Sequence, residues 1–452
     1  MHDETKQKVK KSLLFSIVDG TFYSSMIGFG ESFLQAFAVL LKATSFQLGL
    51  LAALPTFFSS LFQLGASKFI KIFGSRKKLV VTCAFLEGFM YIPIALSFYF
   101  GEMSFNILLL FVTLYWIVGR IISPAWNSWM GDLVREKDRG KYFGRRLRIT
   151  GIATFVTFIF GGYILQEMSD LSLRYYGFAI IFALAFISRL ISISFLVKQY
   201  EPEYKPEERK FRIHQFISNA EFSEPRKLSI YLNLMGFAVN VAAPFFAAYM
   251  LYDLKMDYLS FTLINAASIL IKFVAMPLWG RVCDRFGNRK VLSLASYLIP
   301  IIPLLWLFSH NLYYLIAIQF FSGFVWAAWD ISSFDYLYDV TNQENRTRIV
   351  AYNNVLGGIA SLIGPIVGAI ILHKFSPFWS DYFFIFVVSA VLRMLVAWRF
   401  VPTLKEIRKV KPITFHRLFF NVLTTMPNSG IMHDIITFSK ALKVGTKRRR
   451  NL

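Results

Sequence analysis

The chain has 452 residues, of which 56% are apolar, 17% aromatic and 17% charged, and its formal net charge is +22. A soluble globular domain is closer to half apolar and a quarter charged. The apolar residues fall into blocks of about 20, each long enough to cross a bilayer as a helix. The composition therefore predicts an all-α polytopic membrane protein, and it excludes a soluble domain and an outer-membrane barrel.

Twelve apolar segments follow one another along the chain. They cover residues 12–41, 46–69, 79–100, 106–129, 148–166, 175–197, 228–251, 258–278, 291–308, 312–336, 352–372 and 379–401. Turns after odd-numbered segments carry few basic residues, whereas the other loops and the two ends of the chain hold about forty. Positive loops stay on the cytoplasmic side, so both termini are expected in the cytoplasm. The charge thus reflects topology, and no nucleic-acid partner is expected.

A polar connection divides these segments into two sets of six. Residues 198–227 are rich in Glu, Lys, Arg and Pro, as is typical of a solvated linker. We expect a six-helix bundle over residues 1–197, a cytoplasmic linker over 198–227, a second bundle over 228–401 and a basic cytoplasmic tail over 402–452. The tail has no thirteenth segment, and its pattern predicts an amphipathic helix on the membrane surface.

An internal repeat supports the division into halves. The stretch from Asp132 to Arg139 aligns without a gap to the stretch from Asp339 to Arg346, 207 positions later. The same offset pairs two glycines of each half, Gly151 with Gly358 and Gly161 with Gly368. Parallel repeats of six helices are typical of one large group of transporters.

A short basic stretch lies between segments 8 and 9. It runs from Gly280 to Lys290, and these eleven residues cannot cross a bilayer, so a tight loop between antiparallel neighbours is expected, with glycines permitting the turn. The spaced residues are Gly280, Asp284, Arg285, Gly287, Arg289 and Lys290. This pattern resembles the second-half motif A of the major facilitator superfamily, which implies a twelve-helix transporter made of two pseudo-symmetric bundles.

The first-half copy of this motif is incomplete. Gly74, Arg76 and Lys77 are present, but Lys71 stands where the resemblance implies Asp. We therefore expect the gate contact to depend more on Asp284 of the second half. The loop after segment 4, with Asp132, Arg139 and Gly140, is similar to the charged cytoplasmic link of the family.

Eight ionisable residues fall well inside the apolar segments. Four are acidic, namely Asp19, Glu31, Glu87 and Asp330, and four are basic, namely Arg120, Arg189, Lys272 and Arg393. Each costs about 2.5–3.5 kcal/mol near the bilayer centre unless it is paired or hydrated. The equal numbers favour pairing. We expect Glu87 to pair with a neighbouring helix, and Arg189 and Arg393 to reach headgroups or a helix-end carbonyl.

The resemblance also implies that helices 1, 4, 7 and 10 line a central cavity. It thereby assigns Asp19, Glu31, Arg120 and Asp330 to the pathway of substrate or ion, with Lys272 close by. Aromatic and polar residues complete the predicted lining: Trp126, Asn127, Asn240 and Trp329. The alternatives are an ion pair that sets helix register for the charges and an interfacial anchor for the tryptophans. We interpret Trp129 as such an anchor.

These features favour a secondary transporter that moves a small solute by alternating access, with buried acids as candidate proton carriers. The alternative is a non-transporting receptor or assembly protein on the same scaffold. The sequence contains no phosphate-binding loop and no catalytic grouping, so we expect neither ATP drive nor an enzyme. Two cysteines and scattered histidines predict no metal or cofactor. A monomer in the plasma membrane, with a small-molecule substrate, lipid and protons as partners, is expected.

Overall fold

The computed structural model describes residues 2–135, 138–203, 223–341, 346–375 and 380–407. Within these residues the chain forms helices and no strand. Most of the expected linker, and the tail beyond residue 407, lie outside the described residues. The proposed amphipathic helix of the tail is therefore not addressed by the structure.

Six membrane-crossing helices make up each half, and several of them are broken. In the first half they are α1 (His2–Phe29, continued by Leu34–Leu40), α2 (Ser45–Gln63, continued by Ala66–Phe73), α3 (Arg76–Phe89, continued by Tyr91–Leu96), α4 (Ser104–Leu133), α5 (Arg139–Asp170) and α6 (Arg174–Val197). In the second half they are α7 (Ser223–Asn240, continued by Phe245–Ala248), α8 (Tyr258–Phe286), α9 (Asn288–Leu298, continued by Ile301–Leu305), α10 (Leu312–Asp339), α11 (Arg346–Lys374) and α12 (Asp381–Phe400).

Length and composition support the twelve crossings. Ten stretches of described residues are long and apolar enough to span a membrane. One of them, Arg76–Leu133, has 58 residues and contains two crossings, α3 and α4. The chain reverses between them at Gly101, which has a φ of 55°. The ninth helix is broken at Pro300 into two short pieces and is therefore missed by a length criterion. The predicted twelve-helix architecture is confirmed.

The two halves repeat one packing scheme. In the first half α1 packs against α5 and α6, α4 packs against α2 and α3, and α3 packs against α6. In the second half each of these contacts recurs six helices later, between α7 and α11, α7 and α12, α10 and α8, α10 and α9, and α9 and α12. The halves meet along α2 with α11 and α5 with α8. The molecule is thus two pseudo-symmetric six-helix bundles.

The repeated glycines lie where helices approach one another closely. A Cβ on Gly151 of α5 would meet the ring of Phe273 on α8, and one on Gly358 of α11 would overlap Ser60 of α2. These two positions are equivalent in the repeat, and both lie at the interface of the halves. Small residues allow helix backbones to pack closely in membranes. The glycines predicted from the repeat therefore have matching structural roles.

The basic stretch between segments 8 and 9 is more regular than predicted. Helix α8 continues to Phe286 and α9 begins at Asn288, so Gly287 alone, with a φ of 96°, breaks the helix. Gly280 lies inside α8 and makes no turn. The prediction of an eleven-residue loop is therefore wrong, because charged residues beyond the membrane can stay helical in water. A single positive φ is enough to reverse the chain, and Gly74 (φ 66°) does the same in the first half.

We predict that Gly368→Ala lowers thermal stability. A Cβ at Gly368 of α11 would overlap the carbonyl oxygen of Val241 on α7, and backbone cannot rotate aside as a side chain can. Overpacking of this kind typically costs about 1–3 kcal/mol. Gly144→Ala is the control, because a Cβ at that exposed helical site meets nothing within 4 Å. Melting of the detergent-purified variants checks this, and equal melting temperatures would contradict it.

Candidate functional site

The two ends of the bundle differ in how the halves meet. We use "basic face" for the end that holds Lys6–Lys11 and the turns at Gly74 and Gly287, and "neutral face" for the opposite end. Toward the neutral face one apolar cluster includes residues of both halves, such as Phe37 and Phe178 with Tyr249 and Phe261. Toward the basic face each half has a separate apolar cluster. The halves therefore share an apolar cluster at the neutral face, whereas each keeps its own cluster at the basic face.

Hydrogen bonds between the halves close the neutral face further. The Tyr252 hydroxyl, just beyond α7, donates to the carbonyls of Val39 (2.8 Å) and Ala43 (3.1 Å) at the end of α1. The backbone N–H of Tyr258 donates to the side-chain oxygen of Gln166 (3.1 Å). The Val39 carbonyl also accepts from the Lys42 backbone N–H at 2.9 Å, so Tyr252 is an additional donor to it. These bonds join the second half to the C-terminal end of α1.

Three charged side chains in the middle of helices are accessible to solvent. Arg120 of α4 is exposed, and its guanidinium lies 5.5 Å from the ring of Trp116. Lys272 of α8 and Asp330 of α10 form an ion pair while remaining 35% and 37% exposed. A charge facing lipid at this depth would be costly. Exposure to water is therefore the surrounding that suits these three side chains.

Glu31 lies at a break in α1. The α-helix ends at Phe29 and a short 3₁₀ turn, Glu31–Phe33, precedes its continuation. The Tyr115 hydroxyl of α4 donates to the Glu31 carboxylate at 2.8 Å. Among the described residues, no basic side chain lies within 4.0 Å of this carboxylate. Glu31 is therefore a partly buried acid held by a hydroxyl rather than by an ion pair.

A chain of buried charges crosses the first half. Glu87 of α3 pairs with Arg189 of α6 at 2.5 Å, and Arg189 also donates to Ser192 at 3.1 Å. Ser192 donates to Asp19 of α1 at 2.6 Å, and Arg146 of α5 lies 4.0 Å from Asp19. Two acids and two bases thus form a neutral network that links α1, α3, α5 and α6. Asp19 belongs to this network rather than to the space between the halves.

A small cavity adjoins the network inside the first half. Its volume is about 220 Å³, and Asp19, Glu87, Trp126 and Asn127 are among its lining residues. The Arg146 guanidinium stacks on Trp126, 4.3 Å from the ring centroid. Trp126 is therefore a cation–π partner of Arg146 and part of the wall of this small cavity. Asn127 is exposed at its edge.

Two expectations about arginines have different outcomes. Arg189 was expected to reach headgroups or a carbonyl, which is wrong, because a buried carboxylate lies within reach. Arg393 holds the carbonyls of Ile299 (3.4 Å) and Val239 (3.5 Å), as expected, besides the Ser389 hydroxyl at 3.0 Å. Both carbonyls lie at breaks, in α9 and α7, and each also accepts from the backbone, Ile299 from the Ile302 N–H at 3.3 Å and Val239 from the Ala243 N–H at 3.0 Å. Equivalent arginines are thus neutralised differently in the two halves.

Other predicted lining residues pack within the bundle. Asn240 of α7 donates to Ser361 of α11 at 3.4 Å. Trp329 is 8% exposed and packs edge-on against Tyr231, with centroids 5.8 Å apart. Both residues support the packing of the second half, and the structure does not place Trp329 on an open wall. Trp129 is fully buried, so the anchor interpretation is wrong for it.

The motif residues of the first half join helix ends at the basic face. Arg76 pairs with Asp132 at 2.6 Å, and Glu201 accepts from the Arg76 backbone N–H at 2.7 Å. Trp129 donates from its indole nitrogen to the carbonyl of Tyr200 at 2.9 Å. These contacts fasten the chain after α6 to the N-terminus of α3. Sequence reasoning missed Glu201 because it lies in the stretch assigned to a solvated linker.

The second half repeats this arrangement. Asn288 donates to Asp339 at 2.7 Å, and the Tyr336 hydroxyl donates to the carbonyl of Lys405 at 2.5 Å. Tyr336 and Asp339 are the repeat partners of Trp129 and Asp132. The remaining motif residues also lie at this face. Asp284 and Arg285 are exposed, and Arg289 and Lys290 lie in the first turn of α9. In the first half, Arg139 donates to the Gly131 carbonyl at 3.1 Å, and Gly140 lies in the first turn of α5.

Comparison with known protein families agrees with this arrangement. The family model of the Major Facilitator Superfamily matches residues 13–233 and 228–426, which together cover both halves. The chain belongs to the Major Facilitator Superfamily. Among the described residues, no group of three or more His, Cys, Asp and Glu side chains is arranged to hold a metal ion.

Other superfamily members share the fold at low sequence identity. The riboflavin transporter RibZ of Clostridioides difficile is 22% identical over 169 residues, which are 37% of this chain and 36% of RibZ. The chain thus matches about a third of that relative's length. The xylose transporter XylE from E. coli, in a partially occluded inward-open conformation, superposes with a TM-score of 0.66 at 12% identity, covering 90% of this chain and 100% of XylE.

A third relative has been solved in two states. A bacterial homologue of the iron transporter ferroportin matches with a TM-score of 0.64 in its inward-facing state, at 12% identity over 88% of this chain and 98% of its own. In its outward-facing state the TM-score is 0.58, at 14% identity over 87% of this chain and 98% of its own. These likenesses establish the superfamily fold.

We predict that removing either charge of the Glu87–Arg189 pair alone destabilises the protein more than removing both. Glu87→Leu should destabilise it by about 3–5 kcal/mol, because Arg189 would lose its nearest carboxylate. Arg189→Met should destabilise the protein by a similar amount, because the Glu87 carboxylate would lose its basic partner. The double variant Glu87→Leu/Arg189→Met leaves Asp19 with Arg146 and should melt closer to the unmodified protein than either single variant. A double-variant loss equal to the sum of the single losses would contradict this coupling.

Proposed function

We propose that this protein is a secondary active transporter that moves a small solute by alternating access. The observation that carries the proposal is the contrast between the faces, one shared apolar cluster at the neutral face and two separate clusters at the basic face. Two rigid halves with a closed end and an open end form one end state of a rocking cycle. The higher TM-score with the inward-facing ferroportin homologue supports the same state.

The orientation in the membrane follows from charge. Lys and Arg are concentrated at the basic face, and such loops remain in the cytoplasm. We therefore place this face and both termini in the cytoplasm, with the protein in the plasma membrane as a monomer. On this orientation the structure represents the inward-facing state. Asp284 and the other motif residues would then contribute to the gate that closes this face in the opposite state.

We assign Arg120, Lys272 and Asp330 to a hydrated space between the halves. Their charges favour an ionic or zwitterionic substrate. Arg120 has no carboxylate within 4.0 Å among the described residues, while the Lys272–Asp330 pair remains partly exposed. An acidic group of a substrate could bind Arg120, and a basic group could exchange with Lys272 at Asp330. Trp116, under the Arg120 guanidinium, adds an aromatic surface. A neutral sugar would leave these charges without a matching group.

Glu31 is the favoured proton carrier of this proposal. It lies at the break of α1, contacts α4 through Tyr115, and has no ion-pair partner within 4.0 Å among the described residues. Protonation would remove its charge without leaving a buried base unpaired, unlike protonation of Glu87. The carboxylate could therefore gain and lose a proton as its surroundings change between states. Asp330, paired with Lys272, is the second candidate.

We predict that a ligand-screening experiment will identify a transported ion or zwitterion. Compounds that bind the folded state raise the melting temperature of the detergent-purified protein with increasing concentration. Organic anions, organic cations, zwitterions and neutral sugars form the panel. Arg120→Ala should abolish the shift given by the best ionic ligand, whereas Arg174→Ala, an exposed change at the neutral face, should not. Flux of that ligand into vesicles supports transport; binding without flux would indicate the receptor alternative.

We predict that Glu31→Gln abolishes accumulation driven by a proton gradient. The variant cannot take up or release a proton, so counterflow exchange of the ligand should persist while uphill transport is lost. Glu102→Gln, an exposed change between α3 and α4, is the control and should leave both unchanged. The unmodified protein should transport at different rates between pH 5 and 8. Rates that are insensitive to pH and to collapse of the gradient would contradict proton coupling.

A further inference from the structure

A second site lies at the basic face of the first half. A groove of about 660 Å³ runs between the start of α1, the end of α4 and the start of α5. Among the described residues, its charged lining is four basic side chains and one carboxylate, namely Lys6, Lys10, Arg135, Arg145 and Asp138. None of the groove's residues belongs to the pathway proposed above or to the buried charge network. The groove therefore requires an explanation of its own.

The floor of the groove is apolar and ordered along α1. Lys10, Leu13 and Ile17 recur at intervals of three and four residues, so they share one face of this helix. Lys10 is exposed, whereas Val9, Leu13 and Ile17 are partly buried. From Val9 to Ile17 the helix rises about 12 Å. The groove thus changes from cationic at the outer end of α1 to apolar further into the bundle.

The ends of α4 and α5 complete the cationic part. Arg135 lies two residues beyond the end of α4, and Arg145 lies about two turns into α5, with both side chains exposed. Asp138, the N-cap residue of α5, makes no hydrogen bond that caps the helix. The first N–H groups of this 32-residue helix add positive potential at the same end. The Tyr142 hydroxyl donates to the Leu13 carbonyl at 3.2 Å and holds α5 against α1.

We propose that this groove binds an anionic membrane phospholipid. The headgroup phosphate would lie among Lys10, Arg135 and Arg145, and the acyl chain would cover Leu13 and Ile17. A soluble phosphate matches the cations but not the apolar floor, and a lipid without net charge matches the floor but not the cations. Basic pockets at the cytoplasmic ends of membrane helices are suited to such headgroups. The polarity of the groove follows that of a phospholipid, with the charged group outermost.

Native mass spectrometry of the full-length protein in detergent tests this assignment. Phosphatidylglycerol is titrated against the protein, with phosphatidylcholine and glycerol phosphate as the two comparison ligands. Phosphatidylglycerol should bind most tightly. Each basic residue near a membrane surface contributes about fivefold in affinity, so Lys10→Gln/Arg145→Gln should weaken phosphatidylglycerol binding by about 25-fold.

A matched variant separates the groove from general surface attraction. Lys11→Gln/Arg148→Gln makes the same charge change on the same two helices, at exposed positions that do not line the groove. It should retain the affinity of the unmodified protein for phosphatidylglycerol. Equal losses in the two double variants would overturn the proposal, as would equal binding of phosphatidylcholine or equally tight binding of glycerol phosphate. Melting without added lipid verifies that both variants are folded.

Discussion

The need to neutralise charge inside a membrane organises this structure. An ionisable side chain at this depth must find a partner, a carbonyl or water. Glu87, Arg189, Asp19 and Arg146 satisfy one another within the first half. Arg393 is satisfied by carbonyls at helix breaks. Of the remaining four, Arg120, Lys272 and Asp330 are at least partly exposed, and Glu31 accepts from the Tyr115 hydroxyl.

This distribution separates rigidity from access. The network in the first half ties four helices together, and breaking any one of its pairs would leave a charge buried without compensation. Such a half is suited to move as one body. In the second half a single arginine, Arg393, lies at the equivalent position of the repeat and donates to Ser389 and to a carbonyl at a helix break. The rigid parts are thus internal to each half, and the exposed charges Arg120, Lys272 and Asp330 lie outside the network.

The sequence predicted the scaffold more completely than the site. Segment count, loop charge and the 207-residue repeat are each determined by the bilayer or by duplication, and the repeated Gly151 and Gly358 contact the opposite half as close-packing residues should. Arg146 was missed because the apolar pattern of segment 5 starts later than its helix, which begins at Arg139. Pairing of Arg189 with Glu87 depends on how α3 and α6 face each other, which composition does not reveal.

Closure of the neutral face depends on contacts that can be broken without exposing a buried charge. Tyr252 donates to two carbonyls at the end of α1, and water can replace the hydroxyl when the halves separate. The apolar residues of the shared cluster, in contrast, would lose burial on opening, and in the proposed cycle this loss would oppose the outward-facing state. Formation of gate contacts by the motif residues at the basic face would offset it. In the proposed cycle the relative stability of the two states would depend on apolar burial at one face and charged contacts at the other, and a bound substrate or a proton on Glu31 would shift that balance.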